Sequence, residues 1–322
     1  MNIMSDLTIN DIKSKLESQS NELNELKKAM QVTTDAPDSM QIEYSPELMS
    51  KVFEQAPYLR FLENKGCVKP ASTSRVGFYV EKNGAKAQFI AEDADIPDSS
   101  ATTYTEVLKS MTTLINPLYV SMMAEKGNNT IDLIQRELDK GFINIKNETD
   151  KALLQGTGEN NIFEGFTKQV TSNKTDLEGS ALTEEAIDDM LTTIIDGNGG
   201  NVDCIVTSAN VGKQLKKLVA PYRRYNDKVD IGLGHRVTTY ESMNGSEIPI
   251  LIDANLTSDT SGNDSMLFVD SSTIEVRELM APTVLDNLPV NKLGSKMAIV
   301  NFITSQNIAE FRNGILTGIG KK

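Results

Sequence analysis

The sequence predicts an α+β fold behind a helical N-terminal extension. A long amphipathic helix is written into residues 130–155, strand-like runs crowd the C-terminal third, and a heptad pattern at the N-terminus is cut off by a polar linker.

The extension comes first. With Ile9 at an a position, Ile12 falls at d, Leu16 at a, Gln19 at d, Leu23 at a, Leu26 at d and Met30 at a. That is about three heptads with one polar break, and such a helix is marginal by itself. It needs partner copies or a host surface, unless it is an ordinary amphipathic helix folded onto the body. The polar run from Val32 to Ser39, with Pro37 inside it, marks a boundary. Ser45-Pro46-Glu47 reads as a helix start, with a Ser cap, a Pro at the first helical position and an acid against the dipole. A short helix to about Gln55 and a turn at Pro57 are expected to follow.

Residues 74–93 hold the clearest local signal. Arg75 to Val80 and Lys86 to Ile90 read as strands, joined through Glu81-Lys82-Asn83-Gly84, whose Asn-Gly pair favours a type I′ hairpin. Ala91 to Ser100 is acidic and turn-rich, and a strand-like run returns through Tyr104, Val107, Leu108, Met111, Leu114, Ile115, Leu118 and Val120. A two-stranded arm of this length has little to bury by itself and is expected to pack on something else.

In the helix of residues 130–155, Ile131, Ile134, Leu138, Phe142, Ile145 and Leu153 recur at three- and four-residue steps, with one turn missed near Thr149. Its length is about 39 Å at 1.5 Å per residue, and Gly156-Thr157-Gly158 ends it. Thr183 then caps a helix carrying Ile187, Met190, Leu191, Ile194 and Ile195, stopped by the glycines after Asp196. Cys204 to Thr207 is a short buried strand, and Val211, Leu215, Leu218 and Val219 line a helix. In the apolar strand Ile248 to Ile252, Pro249 favours an edge or a strand end. Met266 to Val269, Ile274 to Leu279, Met297 to Ile303 and Ile308 to Ile319 are further strand candidates.

Composition narrows the chemistry. The chain has 32 Lys+Arg against 45 Asp+Glu, a net charge of −13, which lacks the basic face of a sequence-independent DNA binder. The one histidine, His235, excludes sites that need two imidazoles, and Cys67 and Cys204 cannot make a zinc site or a disulfide scaffold on their own. No glycine cluster matches a phosphate-binding loop. The acidic pairs Glu184-Glu185 and Asp188-Asp189 fall in the first turns of a helix, where they suit its dipole. Met1 to Asp6 is no signal peptide, and the longest apolar runs, such as Met297 to Val300, are far short of the roughly 20 residues of a membrane helix. No catalytic residue, cofactor site, metal site or membrane contact is therefore expected, and synthesis in a reducing cytoplasm is.

One charge feature stands out. Residues 209–236 hold seven bases and two acids, +5 in a chain whose remainder is −18, and residues 81–98 hold five acids and two bases. Either these are solvated faces, or the basic island (Lys213, Lys216, Lys217, Arg223, Arg224) meets the arm (Asn83, Gly84, Glu92, Asp93, Asp95) of a neighbouring copy, where opposite charge would set register.

The order of parts, with its helical extension, hairpin arm, long helix, α/β section and returning strands, resembles the major capsid proteins of tailed phages, the HK97 fold named after phage Hong Kong 97. The resemblance covers about residues 45–320 and is one of architecture. It implies a scaffolding-like extension and linker at 1–44, an N-arm at 45–74 and an E-loop at 75–106. A peripheral (P) domain at 107–181 would hold the spine helix 130–155, an axial (A) domain would occupy 182–262, and strands closing the P domain would occupy 263–322. It further implies a structural protein, not an enzyme. Pentamers and hexamers would self-assemble in the bacterial host cytoplasm into an icosahedral head that encloses double-stranded DNA without sequence-specific binding. A portal, a decoration protein and a prohead protease are the implied partners, with Val32 to Ser39 as the cleavage zone and Ile9, Ile12, Leu16, Leu23, Leu26 and Met30 as scaffolding contacts. Lys82 and Lys86 lie where some members of the family crosslink their shells. Two alternatives are an encapsulin-like nanocompartment shell and a cytosolic α/β enzyme with an N-terminal oligomerisation helix.

Overall fold

The computed structural model describes residues 13–21, 55–82, 87, 89–92, 95, 102–127, 132–219, 229–230, 236–237, 239–241, 245, 247–286, 288–289 and 292–321. The chain divides into two compact units, Met1–Met49 and Ser50–Lys322. In the first, residues 13–21 form a helix, α1, exposed along its length, with Leu16 in water. Ile9, Ile12, Leu23, Leu26, Met30, the Val32–Ser39 linker and the helix expected after Ser45 lie outside the described residues.

The second unit opens with α2 (Pro57–Asn64), so the turn expected at Pro57 is a helix start. The reason is local: proline has no N–H to leave unsatisfied at a first helical position, and its φ is already helical. Tyr58, Leu59, Phe61 and Leu62 are buried. A short strand β1 (Val68–Pro70) leads to the arm, β2 (Arg75–Lys82) paired antiparallel with β3 (Thr103–Ser110) from Arg75↔Ser110 to Lys82↔Thr103. The partner of β2 is thus not Lys86 to Ile90: Ala87, Phe89 and Ile90 lie outside any strand, and Asn83 and Gly84 are outside the described residues. A full eight-residue ladder with β3 satisfies more backbone than a tight hairpin onto five residues. The single strand-like run through Val120 is divided at Met111, whose N–H donates to Ser74 O at 2.9 Å; β4 (Thr112–Ser121) then joins a different sheet.

After the short helix α3 (Met122–Gly127) comes α4 (Leu133–Gln155), capped by the Asp132 carboxylate on Gln135 N–H. The helical turn α5 (Phe166–Gln169) and β5 (Lys174–Asp176) follow. Thr183 caps α6 (Glu184–Thr192), which runs on into a π-helical turn at Thr193–Gly197. Next are β6 (Cys204–Thr207), α7 (Ala209–Val219), β7 (Val229–Asp230), β8 (Arg236–Val237), β9 (Thr239–Glu241) and β10 (Glu247–Ile252). The chain closes with β11 (Asp264–Val269), β12 (Ile274–Leu285), β13 (Gly294–Asn307) and β14 (Gly314–Ile319).

Two sheets organise the body. A four-stranded sheet runs β1-β12-β13-β4, and α4 lies on one face of it: Ile145 and the half-buried Ile134, Leu138 and Phe142 pack against Leu118, Met297 and Ile299. Gly141 permits that approach, because a Cβ there would sit 2.6 Å from Ile299 Cδ1. A six-stranded mixed sheet runs β5-β14-β11-β6-β10-β9, and α6 and α7 bury Ile187, Met190, Leu191, Val211 and Leu215 against it. This sheet takes β5, β11 and β14 from outside residues 182–262, so the expected section is not self-contained. β10 is also interior, between β6 and β9, rather than an edge. Pro249 is tolerated because pairing with β6 begins only at Ile250.

Candidate functional site

The arm is a two-stranded ribbon with no buried residue along the described β2 and β3. Alternation puts Val76, Phe78, Val80 and Val107 on one half-covered face, and Tyr79, Glu81, Tyr104, Glu106 and Leu108 on the other, in water. Tyr79 is 69% exposed and Tyr104 66%. Farther along the connection, Phe89 and Ile90 are exposed as well. At the base of the arm, Lys109 Nζ pairs with the Glu164 carboxylate, which the loop after α4 presents. That loop is held by two glycines in backbone contact: Gly165 N–H donates to Gly156 O at 2.9 Å, and a Cβ on either glycine would strike main-chain atoms within 2.3 Å.

α4 covers one face of the four-stranded sheet, and on the opposite face Ala298 and Val300 of the central β13 are buried. Ile115 and Tyr119 of β4 and Leu279 and Leu285 of β12 remain exposed. Unpaired apolar surface of this kind, on an arm and a sheet face of one protomer, marks a protein-protein contact.

The basic island resolves in part. Lys213, Lys216 and Lys217 are exposed on α7, whose opposite side buries Val211, Gln214 and Leu215. Glu92 and Asp95 are exposed in the β2–β3 connection, and Asp93, Arg223, Arg224 and His235 lie outside the described residues with Asn83 and Gly84.

Sequence reasoning missed a buried carboxyl pair. Asp150 of α4 and Asp253, just after β10, are both buried, and their side chains face each other. Ala56 gives α2 no side-chain cap, so these acids cap it from elsewhere in the chain: Asp150 Oδ1 accepts from Leu59 N–H at 2.7 Å, and Tyr58 N–H acts on Asp253. Asn255 ties the group together. Its N–H donates to Asp253 Oδ1 at 2.8 Å, and its amide donates to Asp150 Oδ2 at 2.8 Å and to Gln55 O. Burial, then the Asp253 charge, pushes Asp150 up to about 8, and burial raises Asp253 too. The missed turn near Thr149 in the apolar pattern of α4 was the available signal. It marks where the helix buries Thr149 and Asp150 instead of another hydrophobe.

Among the described residues, no three His, Cys, Asp or Glu side chains cluster to hold a metal, and no helix is long and apolar enough to cross a membrane. Both cysteines are buried and free, and burial pushes both thiols up, away from nucleophilic use. A cleft of about 520 Å³ beside α4 and the start of β4 has Glu148 and Lys151 as its ionisable lining groups, with neither a histidine nor a cysteine.

Residues 14–320 match the protein family described as SU10 major capsid protein. No curated protein sequence matches the chain. Among solved structures, the capsid protein of an empty GTA particle superposes with a TM-score of 0.69 at 13% identity, covering 90% of this chain and 100% of that one. The protein of Mycobacterium phage Bobi gives 0.63 at 14% identity, with 88% and 97% covered. The holo-SrpI encapsulin complex from Synechococcus elongatus gives 0.65 at 11% identity, with 90% and 96% covered. These likenesses establish the HK97-like fold.

Proposed function

The chain belongs to the SU10 major capsid protein family, and from that premise we propose how its parts build a shell. It is a structural capsid protein that assembles into multimeric shells and resides in the virion capsid. In our reading the shell is the icosahedral head of a tailed phage, assembled from pentamers and hexamers in the host cytoplasm around double-stranded DNA, and the subunit has no enzymatic activity. The observation that carries this reading is the arm: a ribbon of eight residue pairs with no buried side chain among the described residues and with tyrosines exposed on one face. Such surfaces gain roughly 25 cal/mol for each Å² of apolar area that a neighbour covers.

In this assignment residues 75–106 act as the E-loop, α4 as the spine of a P domain built on the four-stranded sheet, and the six-stranded sheet with α6 and α7 as the core of an A domain. The extension, with Leu16 exposed on α1, acts as the scaffolding segment. The exposed Lys213, Lys216 and Lys217 of α7, with Arg223 and Arg224, meet the acidic arm connection (Glu92, Asp93, Asp95) of a neighbour near Asn83 and Gly84. Portal, decoration protein and prohead protease are the expected partners of such a head. The net charge of −13 suits a container that surrounds DNA without gripping it.

Negative-stain microscopy of the purified protein tests the reading. Rings of five or six, or closed shells, are expected, whereas a monodisperse dimer whose stability depends on a small ligand would overturn it. The encapsulin-like fold of one relative makes the contents of the shell the second readout: a protein cargo in place of DNA would favour a nanocompartment.

A further inference from the structure

The carboxyl pair beneath α2 has no assigned role, and its geometry is specific. Asp253 Oδ2 is buried and receives no hydrogen bond, while the Asp150 side chain interacts with that of Asp253 and Asn255 bridges the two. Two ionised carboxylates in that position would repel each other in a low-dielectric site and leave this oxygen unsatisfied; one proton between them removes both faults. On Asp150 act Asp253, the Asn255 amide and Leu59 N–H; on Asp253 act Asp150 and the N–H groups of Asn255 and Tyr58. From α2, the titratable group facing Asp150 is the buried Tyr58 hydroxyl, itself raised by burial first, then by Cys204 of β6, Asp150 and Cys67. Among the described residues, no lysine or arginine acts on either carboxyl.

We propose that Asp150 and Asp253 share a single proton, and that this proton locks the first turn of α2 onto α4 and the loop after β10. The lock is a pH-sensitive device. Opening it exposes both acids, which then titrate near the ordinary value of about 3.9. The closed pair keeps its proton up to about pH 8, the value to which Asp150 is pushed. Between those limits the closed state holds more protons than the open state, so closure weakens as pH rises. Above about pH 8 both states have lost the proton and the dependence ends. Acid tightens the clamp, and mildly alkaline pH frees the segment Gln55–Arg60.

Amide hydrogen exchange on the full chain tests this, followed by mass spectrometry on a peptide spanning residues 55–62 from pH 5 to pH 9. The protection factor, corrected for intrinsic exchange, should fall by close to tenfold per pH unit, the limit for one proton, and level off above about pH 8. A peptide covering β11 should lack that slope. In Asp253→Asn the new amide donates to Asp150 with no proton to lose, so the slope should vanish while protection at pH 8 rises. Asp150→Asn provides a second variant should the first fail to fold: its slope should also vanish, but with lower protection throughout, because the new amide faces either the Leu59 N–H or the Asn255 amide, both donors. A flat wild-type profile, or an unchanged slope in the variant that folds, would overturn the proposal.

Discussion

Reversing one charge at the base of the arm separates folding from assembly. The Lys109–Glu164 pair is partly solvated, with side-chain exposures of 25% and 44%. Pairs of this kind contribute roughly 0.2–1 kcal/mol, and Lys109→Glu adds a repulsion of similar size. A total of about 0.4–2 kcal/mol lowers Tm by only a few degrees, at roughly 2–4 °C per kcal/mol for domains of 150–250 residues. Assembly is more sensitive. If the pair holds the arm at the angle a neighbour requires, each subunit entering the shell must restore that angle from its own binding energy. A cost of about 1 kcal/mol per subunit raises the protein concentration needed for assembly about fivefold. Light scattering against concentration reads that threshold, and calorimetry reads Tm on the same samples. The double reversal Lys109→Glu with Glu164→Lys should bring the threshold back towards wild type. A threshold unchanged in the single variant, or still raised in the double, would refute the idea that this pair positions the arm.

Three further outcomes follow from the same coordinates. Gly165→Ala should destabilise by about 3 kcal/mol or more in a chemical denaturation series, because its Cβ would meet Gly156 N and Ala152 O, main-chain atoms that cannot swing aside, although the backbone angles there suit any residue. Asn313→Ala should cost about 1–3 kcal/mol by the same measurement: the buried amide oxygen accepts from Asp270 N–H at 2.8 Å and its nitrogen donates to Thr273 Oγ1 at 2.8 Å, and alanine strands the Asp270 N–H while Thr273 keeps its bond to Asp270 O. Arg223→Glu with Arg224→Glu should leave the circular dichroism spectrum and Tm unchanged while shells fail to form under the microscope; normal shells would show that the basic island is only a solvated face.

How much of this was readable from the sequence depended on how local each cause was. Leu133–Gln155 and its neighbours on the four-stranded sheet follow from a 3.6-residue period, and the Thr183 cap and the Cys204–Thr207 strand follow from short patterns that tertiary packing did not contradict. The pairing of the arm was misread because Asn83-Gly84 is a strong local turn signal, while the ladder from Arg75 to Lys82 is completed by residues more than twenty positions later. Pro57 was misread because proline ends one helix as readily as it begins another, and only the buried Tyr58, Leu59, Phe61 and Leu62 decide which. The Asp150–Asp253 pair was not readable at all: its members are a hundred residues apart, and a gap in an apolar stripe says that something polar is buried without naming its partner. Of the residues assigned in advance to contacts between copies, Lys213, Lys216, Lys217, Glu92 and Asp95 are exposed, as any such residues must be, and exposure alone does not pair them.

The distribution of buried surface explains why folding and assembly separate in this protein. Two large apolar clusters fill the body. One joins α2, the end of α4, α5 and strands of both sheets; the other seats α6 and α7 on the six-stranded sheet. A third, smaller cluster holds α4 on the four-stranded sheet. The arm contributes to none of them. Substitutions in the clusters must therefore appear first as lost stability of the isolated subunit, at about 2–5 kcal/mol for a large side chain cut to alanine. Substitutions on Tyr79, Tyr104 or Leu108 change little in the subunit alone, since their side chains gain burial only when another copy covers them. A subunit built this way folds before it assembles. On the proposed reading, contacts between copies are set by exposed side chains such as Tyr79, Tyr104, Ile115 and Tyr119, which can change without disturbing the core.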